Sequence, residues 1–161
     1  PSEQVRRVFG INCDGVLNTV LPAVERMLAR ERPDPRKPRG QIAIMSSLAG
    51  FLGFAGAPAY SATKAAVKVY GEALRGALYK DGIEVSVICP GFVKSRMTAR
   101  NKYPMPFLMD TDRAVEIMCR GLAKNRARIA FPFPMYAMVW LLAALPPPLT
   151  DLFMRRLPAK E

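Results

Sequence analysis

Apolar residues at three- and four-residue steps dominate the first thirty positions: Val5, Val8, Phe9, Val16, Val20, Val24 and Met27 share a stripe that also takes in Asn12 and Thr19. That spacing predicts a long amphipathic helix over about Ser2–Arg30. Ser2 is placed to cap it, with Glu3 at the positive dipole end. Pro22 lacks a backbone donor and should bend the helix or end its first half. A proline-rich linker follows, and Gln41 to Met45 reads as a strand opened by Gly40. Ile83 to Cys89 is nearly continuous in apolar residues, the pattern of a buried parallel strand, and Arg126 to Phe131 reads as a third. A helix from Pro58 to about Lys80 lies between the first two strands, stopped by Asp81-Gly82. Another, capped by Asp110 or Thr111, runs to about Asn125. Two short helices, about Pro134–Leu145 and Leu149–Leu157, flank three consecutive prolines. The order helix, strand, helix, strand, helix, strand implies right-handed crossovers and an α/β, doubly wound parallel sheet. Three strands are too few to finish such a sheet.

Composition narrows the chemistry. The 161 residues suit one domain or part of one. There is no histidine, which removes His-dependent triads, His general bases and His-ligated metal sites. The three cysteines, Cys13, Cys89 and Cys119, have no metal-ligand spacing, so no metal site is expected, and they suit a reducing, cytoplasmic compartment. Lys and Arg exceed Asp and Glu by 24 to 13, a net charge of +11. The densest basic run, Arg30 to Arg39, is broken by prolines and acids and has no aromatics for base stacking. It reads as a solvated linker rather than a nucleic-acid surface. The start of the chain has no signal-peptide pattern. The longest apolar run, Met135 to Leu145, is eleven residues, short of the roughly 20 needed to span a bilayer. The segment Met135–Leu142, with Arg155 and Arg156 nearby, could touch a membrane surface, although capping a core or a pocket is the commoner use of such a stretch.

The candidate chemistry is concentrated in three places. In Ala59-Tyr60-Ser61-Ala62-Thr63-Lys64, a helix would put Tyr60 and Lys64 on one face, one turn apart. An ammonium beside a phenol favours the phenolate and should lower a pKa ordinarily near 10, giving a general acid or base. Thirteen residues earlier, Ser47 follows the first strand, with Ser46 as the neighbouring alternative. Alternation along a strand points Ser46 elsewhere. Thirty residues after Tyr60, Pro90-Gly91 ends the second strand at its carboxyl edge, where open α/β sheets bind ligands. Gly50, Gly53 and Gly56 have the spacing Gly-x-x-Gly-x-x-Gly, which suits a flexible active-site loop better than a phosphate loop.

Asn12, Ser47, Tyr60, Lys64 and Pro90-Gly91, in that order and at those distances, resemble the short-chain dehydrogenase/reductase family. The resemblance implies the C-terminal part of a Rossmann-type fold and an NAD(P)-dependent oxidoreductase acting on a carbonyl or alcohol. It implies NAD or NADP as cofactor, with Tyr60 exchanging the proton, Ser47 holding the substrate oxygen and Lys64 also bonding the nicotinamide ribose. Asn12 would position a water through its carbonyl, Cys13 standing where a β-branched residue is usual. Pro90, Gly91, Val93 and Ser95 would meet the nicotinamide, Ser95 replacing the family's threonine. The long first helix and the small-residue face of the second (Ala59, Ala62, Ala65, Ala66, Gly71, Ala73, Gly76, Ala77) would pair with a second subunit in a homodimer or homotetramer. Residues 91–110 would form a substrate loop, with Phe92, Met97, Tyr103, Met105, Phe107, Leu108 and Met109 facing a small, apolar substrate, and 132–158 a C-terminal helical extension. The family's Thr-Gly-x-x-x-Gly-x-Gly loop and Asn-Asn-Ala-Gly stretch do not occur in residues 1–161. The sequence therefore reads as a partial dinucleotide-binding domain, and a non-catalytic interaction module is the competing expectation.

Overall fold

Alternation along the strands decides how the layers assemble. In the computed structural model, which describes residues 2–101 and 103–154 without the side chains of 152–154, β1 (Gly40–Met45), β2 (Ile83–Pro90) and β3 (Arg128–Phe131) form a parallel sheet in the order β1-β2-β3. Ile42, Ile44 and Val85 turn to one face, where they meet Val20 and Val67 from the helices. Ile88, Ile129 and Phe131 turn to the other face, against Ala114. Helices thus cover both sides, as a doubly wound sheet requires. β2 lies in the middle, and Val85 and Val87 are wholly buried.

The first helix departs from expectation. α1 (Ser2–Phe9) leads into a π-helical stretch, Gly10–Asp14, and then α2 (Gly15–Leu28). α2 continues through Pro22. The irregular turn sits at Asn12 rather than at the proline, and such wide turns are common at functional sites.

The basic linker is not simply solvated. Arg39 donates to the carbonyls of Leu28, Arg30 and Asp81, and Arg32 to those of Pro35 and Lys37. The Arg39 bonds satisfy carbonyls at the end of α2 and in the turn before β2, and those of Arg32 satisfy carbonyls within the connection itself. Gly82 has φ 71°, a left-handed backbone that favours glycine, and a Cβ there would push aside the Arg32 guanidinium.

α3 (Pro58–Ala77) carries Pro58 in its first turn, as expected. Its small residues divide between two sides. Gly71 faces the sheet, where a Cβ would meet Val87 at 2.6 Å, while Ala62, Ala66, Ala73, Gly76 and Ala77 face outward. α4 (Thr111–Ala123) begins after Asp110, whose carboxylate pairs with Lys94 at 2.6 Å instead of capping the helix. α5 (Phe133–Ala143) and α6 (Pro147–Met154) follow β3. The predicted end of α6 at Leu157, with Arg155 and Arg156, lies outside the described residues.

Candidate active site

The carboxyl ends of β1 and β2 bring the candidate residues together. Ser46, the first residue past β1, is buried, its N–H bonded to the Ile88 carbonyl at 2.8 Å. Its hydroxyl donates to the Lys64 carbonyl at 2.7 Å, fixing the first turns of α3 to the sheet. Alternation then turns Ser47 the other way. The Ser47 hydroxyl accepts from Ala49 N–H at 3.1 Å and donates to the Pro90 carbonyl at 3.4 Å. It also lies close enough to the Tyr60 phenol to favour its ionised form. Ser47, Tyr60 and Pro90 are therefore neighbours, although they are up to 43 residues apart in the chain.

Tyr60 differs electrostatically from the sequence expectation. Burial raises its pKa above the ordinary value, Ser47 opposes this, and Tyr103 adds to it. Lys64 does not depress the phenol here. Its Nζ donates to the Met45 carbonyl at 3.0 Å and lies over the Tyr60 ring, 5.7 Å from its centre. Burial in turn lowers the Lys64 pKa, because a desolvated ammonium loses its proton more readily. The carbonyl at the end of β1 thus holds the charge that the i,i+4 spacing would aim at the phenol.

Asn12 joins this group from the π-helical turn. Its side-chain amide donates to the Thr63 hydroxyl at 3.0 Å, and that hydroxyl donates to the Tyr60 carbonyl at 2.9 Å. Thr63 is fully buried and was not foreseen as part of the site. Its only sequence signal is its position one turn from Tyr60. Gly50 approaches closely as well: a Cβ there would lie 2.7 Å from the Lys64 carbonyl, whereas Gly53 faces open space.

Beyond Pro90 the backbone is fixed by local contacts. Gly91 N–H bonds the Phe131 carbonyl at 2.7 Å, and a Cβ on Gly91 would strike Met135. Val93 bridges Met109, and its carbonyl accepts from Thr98. Ser95 and Thr98 bond each other through hydroxyls and amides, closing a tight turn. Among the described residues, the Val93 N–H has no acceptor while its neighbours Lys94 and Met109 both do. In the loop, Phe92 packs against Tyr103 edge-on at 6.2 Å and Met109 joins the α4 core. Met97, Phe107 and Leu108 are exposed.

A further cluster escaped sequence reasoning. Phe51 is flanked by the Lys68 and Arg128 cations at 5.0 and 5.1 Å and meets Tyr136 edge-on. Arg128 bonds Glu72 at 2.5 and 2.8 Å and Tyr136 at 3.2 Å. These side chains clamp the loop after β1 to α3, β3 and α5 behind the Ser47–Tyr60 group.

This chain belongs to the short chain dehydrogenase family, whose profile matches residues 1–105. It is 41% identical over 157 residues to an uncharacterized oxidoreductase of Myxococcus xanthus (strain DK1622), covering 98% of this chain and 59% of that protein. It is 30% identical over 160 residues to a 1-deoxy-11-beta-hydroxypentalenate dehydrogenase of Streptomyces exfoliatus, covering 92% and 56%. In fold it resembles a short chain dehydrogenase of Burkholderia cenocepacia J2315 solved in complex with NADP, with TM-score 0.77 and 19% identity over 98% of this chain and 61% of that one. The chain thus spans somewhat over half the length of these proteins.

Proposed function

We propose that this chain carries the proton-exchanging half of an NAD(P)-dependent oxidoreductase acting on a carbonyl or alcohol. The observation that carries the reading is the meeting of Ser47 and Tyr60 at the carboxyl edge of a parallel sheet, with Lys64 over the Tyr60 ring. NAD or NADP is the cofactor this reading requires, and the Burkholderia protein of similar fold was solved with NADP. The donors on this chain suit the nicotinamide end: the Lys64 ammonium can reach a ribose hydroxyl, and the unpaired Val93 N–H can meet a carboxamide oxygen. Ser95, with Pro90 and Gly91 shaping the backbone, borders the same edge.

A bound nicotinamide supplies or receives the hydride. Tyr60 holds the proton that the substrate oxygen gains on reduction and takes it back on oxidation. Ser47 steadies that oxygen by a hydrogen bond that strengthens as charge develops on it. Asn12, through Thr63, fixes the backbone beneath Tyr60. Tyr103, near Tyr60, and Phe92 give the substrate side an apolar wall, which suits a small apolar carbonyl compound.

The intact Ser47, Tyr60 and Lys64 constellation favours an enzyme over a non-catalytic module. The outward stripe Ala62, Ala66, Val69, Ala73 on α3 and the exposed Leu17 and Leu21 on α2 support pairing with a second copy. The cysteines, all free among the described residues, suit a reducing cytoplasm. Assay of NADH and NADPH oxidation over a panel of ketones and aldehydes tests the reading. Turnover abolished by Tyr60→Phe with nucleotide affinity retained is expected, and undiminished turnover overturns it.

A further inference from the structure

α5 has two apolar faces. Met135 and Val139 turn inward and are buried against Leu48, Val87 and Cys89. Phe133, Met138, Trp140 and Leu141 turn outward and are 75%, 47%, 56% and 60% exposed. At 100° per residue the outward set fills one continuous arc that Ala137 and Ala144 complete. A helix that only closes a core keeps its outer arc polar, and this one has no polar residue there.

The surrounding sequence extends the pattern. The 22 residues 129–150 carry no charge, and Leu149 at the start of α6 is also exposed. Cations stand on both sides of that stretch. Arg126 and Arg128 precede it, and Asp151 and then Arg155 and Arg156 follow in the sequence. Arg126 borders a cavity of about 270 Å³ together with Phe133 and Tyr136. Arg128 is held by Glu72 and Tyr136, whereas Arg126 is exposed and has no side-chain partner among the described residues. An exposed guanidinium therefore sits at the base of the exposed apolar arc.

We infer that the outward face of α5, with Leu149 of α6, docks on an anionic lipid surface, lying in the interface with Trp140 and Leu141 immersed and Arg126 among the headgroups. Charge complementarity selects this occupant. The chain carries +11, and an anionic leaflet attracts basic residues at the rim of an apolar face. Eleven residues of helix extend roughly 16 Å, about half the hydrocarbon thickness. No described helix is long and apolar enough to cross a membrane, so α5 lies along the surface. Indole rings favour that depth.

Trp140 is the only tryptophan in the chain, which gives a direct readout. Vesicles of phosphatidylglycerol and phosphatidylcholine should shift its emission to the blue, brominated acyl chains should quench it, and the protein should float with them. Pure phosphatidylcholine vesicles should bind more weakly. Leu141→Glu should reduce partitioning at least about tenfold, and Arg126→Gln should reduce it about fivefold on anionic vesicles only. Circular dichroism melting shows whether each variant keeps its fold, and bromolipid quenching of the unaltered chain needs no variant. Unshifted, unquenched emission on anionic vesicles overturns the inference. So does undiminished flotation of a folded Leu141→Glu protein. Concentration-dependent self-association through this face without vesicle binding also overturns it, because a second copy would then be the occupant.

Discussion

The Ser46 hydroxyl bonds the Lys64 carbonyl at 2.7 Å, linking the end of β1 to the turn of α3 that presents Tyr60 and Lys64. A buried hydroxyl in such a bond contributes about 1 kcal/mol, while the carbonyl, well inside α3, keeps its intrahelical partner. Ser46→Ala should lower stability by about 1–2 kcal/mol. Urea denaturation measures this, and an unchanged midpoint would show that the helix is held elsewhere.

Two glycines in one loop should respond oppositely. Gly50→Ala forces a Cβ to within 2.7 Å of the Lys64 backbone and should cost about 1–3 kcal/mol. Gly53→Ala meets nothing within 4 Å and has no positive φ, so it should be neutral or slightly stabilising. Thermal melts of the two variants, compared side by side, check the contrast.

Burial holds the Tyr60 phenol above its ordinary value, and the sign of the effect on rate follows. With Tyr60 in its proposed role, alcohol oxidation would need the phenolate, so its rate should climb with pH through the neutral range, about tenfold per unit while the pH is below the pKa. Ketone reduction needs the phenol and should be flat there, falling only above about pH 10. A plateau in the oxidation profile below pH 8 would instead show Lys64 leaving the Met45 carbonyl for the phenol during turnover.

The cysteines should be modified in order of exposure. Cys119 is exposed and Cys13 half-buried, whereas Cys89 is buried, with its thiol pushed up to about 11. Thiolate is the reactive form. A chromogenic disulfide should therefore label Cys119 first and Cys89 only on unfolding, as stopped-time mass spectrometry can follow.

Pairing through the long helices is tested by Leu21→Glu, which puts a charge on the exposed face of α2. Light scattering should show the assembly dissociating. A monomer before and after the substitution would remove the proposal.

The strands and α3 were legible because burial on a sheet face and a proline in a first turn are written locally, as in Ile83–Cys89 and Pro58. Ser47 was separated from Ser46 by its thirteen-residue spacing to Tyr60 and by alternation along the strand. The π-helical turn was not legible: Pro22 was the visible breaker, yet a helix tolerates one lost donor when its face is packed, and Val20, Val24 and Met27 are packed. The wide turn accompanies a tertiary bond from Asn12 to Thr63, 51 residues away. The direction of Lys64 was equally hidden, since it depends on a strand-end carbonyl 19 residues earlier. Glu72 and Arg128 are 56 residues apart, and no periodicity links them.

The arginines of the α2–β1 connection bear on any attempt to make the protein less basic. Arg32 and Arg39 act as fasteners, with their donors spent on five different carbonyls. Replacing them with glutamate to improve solubility would open the junction before β1, while the exposed Arg6 and Arg7 on α1 could be exchanged freely. For this chain, isoelectric point and architecture can be tuned separately only if the arginines are sorted by what their guanidinium groups hold.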